Sequence, residues 1–455
     1  MMNSVKICTT NQSLNEFLKE EVKSVETVDD CMHVINLYPE LTEQVIVGFG
    51  GAFTEAAVVS YESLNDAAKK EFVEGYYGVD GLRYNMGRVH INSCDFALGN
   101  YTYVEEGDKD LSTFDIAHDK KNMIPLVKEA IALYGKTVAA TGEEKSVEDF
   151  KLLASPWSPP AYMKSNGEMN HGGKLLEEYY GLWAEYFVKY LKAYEAEGLK
   201  IKYLTVQNEP AAVQTWDSCI YSAEEEGRFA ADFLVPALRK AGLDTEVFIW
   251  DHNKEEMYNR AKGSFSVEGC RDKVSGVAMH WYTGDHFDGI RAVKKAFPEK
   301  KVFFTEGCVE YSRFADSGEV QKAEMYAHDM LGNLKAGVEA FLDWNLLLDE
   351  KGGPNHVGNF CAAPMMCDGK GGLEKRLSYY YIGHFSRYVK AGAKQIMTTC
   401  YTDGVEVVAF LNPDGERVVV ILNKSDRDFE LTIRENGKGT SCVAGAHSIK
   451  TVRFA

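Results

Sequence analysis

The sequence predicts an α/β protein, a (β/α)8 TIM barrel with an antiparallel β-sandwich side domain. Eight short apolar runs alternate with longer segments of helical spacing, and the runs lack the polar–apolar alternation of half-exposed strands. Parallel strands that are buried on both faces and joined by crossover helices have this texture. The 455 residues are enough for one large barrel and an accessory domain. A doubly wound open sheet would show the same rhythm and is the alternative fold.

The predicted barrel strands are rich in Val, Ile, Leu and Phe, and polar or aromatic residues follow each of them. They are residues 45–53, 81–90, 150–155, 201–207, 246–250, 274–280, 301–305 and 338–344. Between them, residues 175–197 and 223–240 are long and periodic enough to be crossover helices. The barrel is therefore expected to occupy residues 45–385.

The texture of the sequence changes after Gly383. Short runs with a period near two, such as GVEVVAFL and ERVVVIL, are separated there by the turn clusters NPDG, NKSDRD and ENGKG. Residues 5–9 and 32–37 precede the first barrel strand and could pair with these runs. We therefore predict a side domain built from both chain ends, with its N-terminal strands in residues 1–44 and the remainder in residues 386–455.

Composition limits the partners and the compartment. With 50 Lys and Arg against 68 Asp and Glu, the formal net charge of −18 argues against nucleic acid and anionic membranes as partners. The first twenty residues lack the apolar stretch of about 7–15 residues that a secretory signal needs. The ten cysteines form no C-x-x-C pair. We expect a cytoplasmic, bacterial protein with reduced thiols, no integral membrane association, no metal and no cofactor; a homo-oligomer stays open.

Two glutamates follow predicted strands at the positions where TIM barrels carry catalytic groups. Glu209 comes after the fourth strand and Glu306 directly after the seventh. Glycoside hydrolysis needs one carboxylic acid to protonate the leaving oxygen and a second carboxylate across the anomeric carbon. A single strand-end glutamate would more simply be solvated or paired with a lysine. Because three strand steps around a barrel of eight allow two such groups to face each other, we predict that they form a catalytic pair.

Other side chains at the predicted strand ends suit a sugar ligand. The amide of Asn208 can hydrogen-bond a sugar 2-hydroxyl, although it could also serve as a turn-former before Pro210. Indole rings stack on the apolar faces of sugars, and four of the six tryptophans lie near predicted strand ends. These four are Trp157, Trp250, Trp281 and Trp344. We expect them to form a sugar-binding wall.

The remaining motifs predict other chemistry only weakly. GFGGAF at residues 48–53 begins like a dinucleotide loop, but Phe53 replaces the last glycine of that fingerprint. The nucleophile elbow of serine hydrolases, the P-loop and the H-E-x-x-H pattern are absent from the sequence. Asp251 and His252 could be half of a metal site, but the sequence shows no third ligand. His280 follows a strand and precedes aromatic residues, which favours a hydrogen-bonding role over metal ligation.

Seven motifs, in this order, resemble the glucosylceramidase group of glycoside hydrolase family 30. They are GFGGAFTEAA, SCDF followed by NYTY, LLASPWSPPAYMKSNG, LTVQNEP, HWY, FTEG and DWNLLLDEKGGPNHVGNF. The resemblance implies a retaining β-glycosidase in which Glu209 is the acid/base and Glu306 the nucleophile. It also implies which residues hold the sugar, namely Asp95, Trp157, Asn208, Trp344 and Asn359, and which line the same pocket, namely Arg88, His280, Trp281 and Tyr282.

The resulting hypothesis is an exo-acting β-glycosidase that hydrolyses β-glucosides by double displacement, in carbohydrate or sphingolipid metabolism. We expect the two carboxyl groups to lie about 5–5.5 Å apart, as retention requires. We also expect the charge of Glu306 to raise the pKa of Glu209. The alternatives are the same scaffold acting on a β-xyloside, a β-fucoside or a β-1,6-glucan. A carbohydrate-binding protein without catalysis is the remaining alternative.

Overall fold

A computed structural model describes residues 4–28, 33–142 and 146–454, and its centre is a closed barrel of eight parallel strands. The strands are β1 (Gly48–Phe53), β2 (Met86–Ile91), β3 (Lys151–Pro156), β4 (Ile201–Thr205), β5 (Glu246–Asn253), β6 (Gly276–His280), β7 (Lys301–Glu306) and β8 (Ala340–Asn345). Neighbours in the barrel follow chain order, and β8 closes against β1. The predicted (β/α)8 barrel is confirmed, and the open-sheet alternative is wrong.

Three strand boundaries differ from the prediction for identifiable reasons. Val45 ends a long strand of the side domain, so β1 begins three residues later. The predicted second strand included Gly81, which lies in a tight turn where a Cβ atom would lie 2.2 Å from the backbone oxygen of Glu74. β5 runs three residues past Trp250 because a bulge lets it continue into the barrel mouth.

Apolar side chains fill the barrel interior. The cluster contains Met86, Leu153, Tyr203, Phe248, Ala278, Phe303, Ala340 and Leu342. Strand β1 contributes glycines instead, and a Cβ atom on Gly50 would lie 2.2 Å from the backbone oxygen of Met86. The GFGGAF motif therefore serves close strand packing, and the plugged interior leaves the mouth formed by the strand ends for a site.

Helices cover the outside of the barrel. They are Glu55–Ser63, Asp66–Tyr77, Ala117–Lys121, Met123–Thr141, Tyr180–Ala196, Ala223–Arg228, Val235–Lys240, Met257–Ser266, Cys270–Lys273, Phe287–Ala296, Tyr311–Phe314, Glu319–Ala336 and Leu377–Ser386. The crossover helices predicted at 175–197 and 223–240 are present; the first begins later, and a π-helical segment, Phe229–Leu234, interrupts the second. In the described ranges, no helix is both long and apolar enough to cross a bilayer.

The side domain contains strands from both chain ends, as predicted. Its strands are Ser4–Asn11, Glu16–Ser24, Glu26–Thr27, Val34–Val45, Lys394–Cys400, Glu406–Leu411, Arg417–Asn423, Phe429–Glu435, Lys438–Ala444 and Ser448–Phe454. The first strand pairs antiparallel with the last, so strands from the two ends of the chain lie side by side in one ten-stranded sheet. Of the predicted run 32–37, residue 32 lies outside the described residues. The inward side chains share one apolar core.

Two histidines join the barrel to the side domain. His328, on a barrel helix, lies 2.6 Å from Glu406 of the side domain and 3.0 Å from Asp285 of a barrel loop. His447 of the side domain lies 2.9 Å from Glu324 of the same barrel helix. Hydrogen bonds to the carboxylates raise the pKa of both imidazoles, while burial opposes the shift. The joint is therefore strongest when both histidines carry a proton.

This joint predicts that stability falls as pH rises above the ordinary histidine pKa of about 6.5. Because the histidine pKa is higher in the folded than in the unfolded protein, the stabilisation is complete below that pH. It is lost as the pH rises through the folded pKa. In His328→Asn the melting temperature should fall less between pH 6 and 9 than in the wild type, by on the order of 1 °C. Lys424, which lies 2.9 Å from the His328 Nδ1 atom, opposes the effect and is present in both proteins. Calorimetry from pH 6 to 9 measures the slope, and an unchanged slope in the variant would contradict the prediction.

Candidate active site

A cavity of about 150 Å³ opens at the carboxyl ends of the barrel strands. It contains most of the residues singled out from the sequence: Asp95, Trp157, Asn208, Glu209, Tyr282, Glu306, Trp344 and Asn359. It also contains residues that sequence reasoning did not identify as sugar-binding: Gln214, Trp216, His252, Asn253, Cys308 and Glu310. Arg88 and His280 do not line the cavity but contact its glutamates directly.

Arg88 connects the residues of the cavity from inside the barrel. Its fully buried guanidinium donates to Glu306 at 2.5 Å, to Asn208 at 2.9 Å and to Asp251 at 2.9 Å. The same group lies 4.8 Å from the ring centre of Trp157, within cation–π range. Because Arg88 donates to the Asn208 carbonyl oxygen, the NH₂ group of that amide is left as a donor for the cavity.

Asp251 is the second buried centre and carries no solvent exposure. Its carboxylate accepts hydrogen bonds from five side chains, namely Arg88, Ser155, Thr205, His280 and Thr305. Burial acts to raise its pKa, but Arg88 and the hydrogen bonds outweigh it and hold the pKa well below the ordinary value. Asp251 is therefore a permanent negative charge beneath the cavity.

Bulges at three strand ends turn side chains toward the mouth. Asp251 in β5, Thr305 in β7 and Trp344 in β8 are each the extra residue of an interrupted register. Asp251 has a φ of 47° and Glu209 a φ of 49°, in the left-handed region that most residues avoid. The backbone oxygen of Asp251 accepts from the Glu209 N–H at 3.0 Å. These strained backbone conformations orient both carboxylates, and hydrogen bonds to the surrounding structure maintain the strain.

Glu209 and Glu306 meet at one imidazole. Nδ1 of His280 lies 3.2 Å from Glu209 Oε1 and 3.9 Å from Glu306 Oε1. The two glutamate oxygens therefore lie no farther apart than the sum of these two distances, on either side of the same imidazole nitrogen. Tyr282 donates to Glu306 Oε1 at 2.9 Å. The paired geometry predicted from the sequence is present, and the separation of about 5–5.5 Å stays a prediction.

The expected pKa direction for Glu209 is wrong. Burial raises the pKa of Glu209, but the charge of the nearby His252, together with the charge and hydrogen bond of His280, holds it below its ordinary value. Burial raises the pKa of Glu306, against the attraction of His280 and Arg88. Nearby carboxylates outweigh burial and raise the pKa of His280 to about 9. The prediction failed because it counted one neighbouring charge and omitted two histidines from other strands.

Two of the four tryptophans belong to the cavity wall. Trp157 and Trp344 stack with ring centres 5.2 Å apart and line the cavity. Trp250 is buried, and its indole N–H donates to the Asn253 carbonyl. Trp281 donates to the Cys308 carbonyl and packs against a buried tyrosine. The expected wall of four is wrong. Trp281 follows His280, which faces the mouth, so Trp281 points to the opposite side. Trp250 would face inward like Phe248, but the bulge at Asp251 breaks the alternation, and Trp250 packs in the outer core.

Asp95 and Asn359 form a polar corner of the cavity. The Asn359 amide donates to Asp95 Oδ2 at 3.0 Å. The other carboxylate oxygen, Oδ1, is buried and has no hydrogen-bond partner among the described residues. A buried oxygen without a partner is costly unless a ligand fills the position. A hydroxyl-rich ligand satisfies that oxygen and the Asn208 amide together.

Comparison with known proteins assigns this architecture. Residues 46–389 match the model of the glycosyl hydrolase family 30 TIM-barrel domain, and residues 392–452 match the family 30 beta sandwich domain. The chain belongs to glycoside hydrolase family 30. It is a glycosidase that hydrolyses O-glycosyl bonds, and the family predicted from the seven motifs is confirmed.

Three relatives illustrate the similarity to other family 30 proteins. Lysosomal acid glucosylceramidase of Mus musculus is 32% identical over 92% of this chain and 82% of its own length. An endo-1,6-beta-D-glucanase of Neurospora crassa is 30% identical over 93% of this chain and 87% of its own length. The crystal structure of SrfJ from Salmonella typhimurium matches with a TM-score of 0.93 and 39% identity over 99% of both chains.

Asp251→Asn tests the buried centre of this family 30 site. Loss of the charge leaves the Arg88 guanidinium short of a partner, so we expect a loss of about 3–5 kcal/mol in the free energy of unfolding. We also expect a fall in kcat of about 100-fold or more, because Arg88 and His280 position the two glutamates. Urea denaturation and hydrolysis of an aryl β-glucoside measure the two effects.

Asp244→Asn is the matched control. Asp244 pairs with Lys200 at 3.0 Å, and both side chains are 62% exposed. Its loss should change stability by less than about 1 kcal/mol and leave kcat unchanged. Equal losses in the two variants would show that Asp251 has no special role.

Proposed function

We propose that this family 30 enzyme is a retaining, exo-acting β-glycosidase that hydrolyses β-glucosides. The observation that carries the proposal is the meeting of Glu209 and Glu306 over His280 beneath a small polar cavity with an aromatic wall. Two carboxylates that approach the same atom form the pair that glycoside hydrolysis needs, and double displacement requires them to lie about 5–5.5 Å apart.

In the first step Glu306 attacks the anomeric carbon while Glu209 donates a proton to the glycosidic oxygen. Arg88 and Tyr282 hold the Glu306 carboxylate, so its attacking oxygen needs little reorientation. Glu209 and His280 lie 3.2 Å apart, so the imidazole can pass its proton to the glutamate. In the second step Glu209 takes a proton from water, and the hydroxide releases the sugar with its β configuration retained.

The size of the cavity supports exo action. Its volume of about 150 Å³ is below the roughly 300–1,000 Å³ of pockets for drug-sized ligands. That space suits one sugar residue better than a stretch of polysaccharide. The endo-1,6-beta-D-glucanase relative makes endo action on a β-1,6-glucan the second candidate.

Apolar side chains near the cavity support an apolar aglycone. Leu98, Val213 and Phe360 are exposed, and each lies on a loop that also carries a cavity residue. A glucan would meet polar groups better, whereas an alkyl chain gains by covering these side chains. This pattern agrees with the similarity to lysosomal acid glucosylceramidase of mouse.

All nine described cysteines are free, which supports the proposed cytoplasmic location.

Product stereochemistry tests the mechanism. We expect ¹H NMR to show β-glucose as the first product from an aryl β-glucoside, and Glu306→Gln to lower kcat by about 10⁴-fold or more. Glu224→Gln, on the outer helix Ala223–Arg228, is the control and should retain the wild-type rate. Release of α-glucose first would refute retention, and a Glu306→Gln enzyme with near wild-type kcat would refute the nucleophile.

A substrate panel tests the sugar and the mode of action. We expect faster hydrolysis of aryl β-glucosides than of aryl β-xylosides or β-fucosides, and glucose alone as the early product from β-1,6-linked gluco-oligosaccharides. Early release of oligosaccharides would favour the endo-glucanase instead. Binding of these sugars without hydrolysis of any would revive the carbohydrate-binding alternative.

Leu98, Val213 and Phe360 form an apolar rim of the cavity, and this rim predicts an effect of the length of the aglycone's alkyl chain. Val213→Ser should raise the KM for octyl β-glucoside about threefold and leave that for methyl β-glucoside unchanged, because only the longer aglycone covers the rim. Val443→Ser, an equally conservative change at an exposed valine of the side domain, is the control. Equal KM changes for both glucosides would contradict an apolar aglycone site.

A further inference from the structure

Two strand residues, on β5 and β6, and one residue of the loop after β4 converge at the acid/base position. Glu209, His252 and His280 each offer one ligand atom, and these atoms all lie within 4.8 Å of one another. The sequence shows only adjacent Asp251 and His252 as a possible half site. The barrel supplies the remaining members by bringing the ends of β4, β5 and β6 together.

Two of the three distances between ligand atoms match those of a tetrahedral metal ion, and the third, between the two imidazole nitrogens, is within 4.8 Å. Glu209 Oε1 lies 3.2 Å from His280 Nδ1 and 3.4 Å from His252 Nδ1. Zinc bonds of about 2.0–2.1 Å to nitrogen and oxygen place neighbouring ligand atoms of a tetrahedron roughly 3.3 Å apart. Two imidazoles and one carboxylate form a donor set that zinc and related transition ions use in proteins.

Two further features point to a ligand at this position. The Nδ1 atom of His252 is buried and has no hydrogen bond within the described chain, although it lies near Glu209. Nε2 of His280 lies 3.1 Å from Asp251 Oδ1. A carboxylate behind a histidine is the usual support of a metal-binding imidazole, since it fixes the tautomer and leaves the other nitrogen free for the ion.

The charge around the cluster also favours a cation. Glu209, Glu306 and Asp251 bring three carboxylates together. Arg88, which contacts Glu306 and Asp251, and the His280 imidazole, whose proton a metal ion would displace, offset part of their charge. A divalent ion would offset the negative charge that remains. Zinc suits the two nitrogen donors, whereas magnesium and calcium prefer all-oxygen sites.

We propose that a zinc-class transition-metal ion binds Glu209, His252 and His280 and reversibly inhibits the enzyme. The fourth coordination position would face the cavity. Because the ion occupies the Glu209 oxygen that must exchange a proton with the substrate, hydrolysis stops while it is bound. Metal and substrate therefore compete for one place.

Zinc titration of the purified chain, first treated with chelator, tests this proposal by two readouts. Calorimetry with zinc chloride should show one site per chain, and kinetics should show inhibition that substrate opposes and chelator reverses. Magnesium chloride at the same concentrations should do neither. Because calorimetry needs no substrate, it decides the metal site even if the proposed β-glucoside specificity fails.

Variants locate the ion. His252→Asn should weaken zinc binding about 10-fold or more, and inhibition is compared with that variant's own uninhibited rate. His328→Asn is the control, because the carboxylates beside His328 lie on opposite ring nitrogens and do not converge. Cys308→Ser tests the thiol in the cavity and should retain zinc binding.

Three results would overturn the proposal. They are the absence of zinc binding in the wild-type chain, zinc binding without inhibition, and unchanged binding in His252→Asn. Loss of the site in Cys308→Ser or His328→Asn would place the ion elsewhere and would equally reject it.

Discussion

The ion pair between Arg88 and Asp251 is the interaction on which the site depends. Both side chains are fully buried, and a single such charge would cost several kcal/mol without its partner. The structure compensates with four further donors on Asp251 and with Asn208 and Glu306 beside Arg88. Since the pair and its partners together come from six different strands, they link most of the barrel mouth into one network.

This network divides the barrel interior into two layers. Below it, apolar side chains from seven strands fill the interior, and above it the polar residues form the cavity. The apolar layer keeps water from the pair, which strengthens its electrostatics. The pair in turn fixes Glu306 and the Asn208 amide. Packing at one end of the barrel thus determines geometry at the other.

Residue spacing was enough to predict the barrel, the two-ended side domain and the position of both glutamates at strand ends. It could not reveal the bulge that turns Asp251 inward, because one extra residue leaves no mark in an apolar pattern. The same bulge turns Trp250 away from the interior, whereas plain alternation would place it inward like Phe248. The threonines and serine that bind Asp251 were visible as polar residues within apolar strands, and that signal could have identified a buried charge.

The pKa direction of Glu209 has the same origin. Charges that matter to it lie on β5 and β6, more than 40 residues away in sequence, and only closure of the barrel brings them near. His280 lies between Glu209 and Asp251, so a proton on the imidazole neutralises part of each charge. In the proposed mechanism, a sugar in the cavity would exclude water from Glu209 and weaken the screening of that carboxylate, which would favour moving the proton from imidazole to glutamate. The hydrogen bond to Asp251 would then hold the neutral imidazole in place to take the proton back.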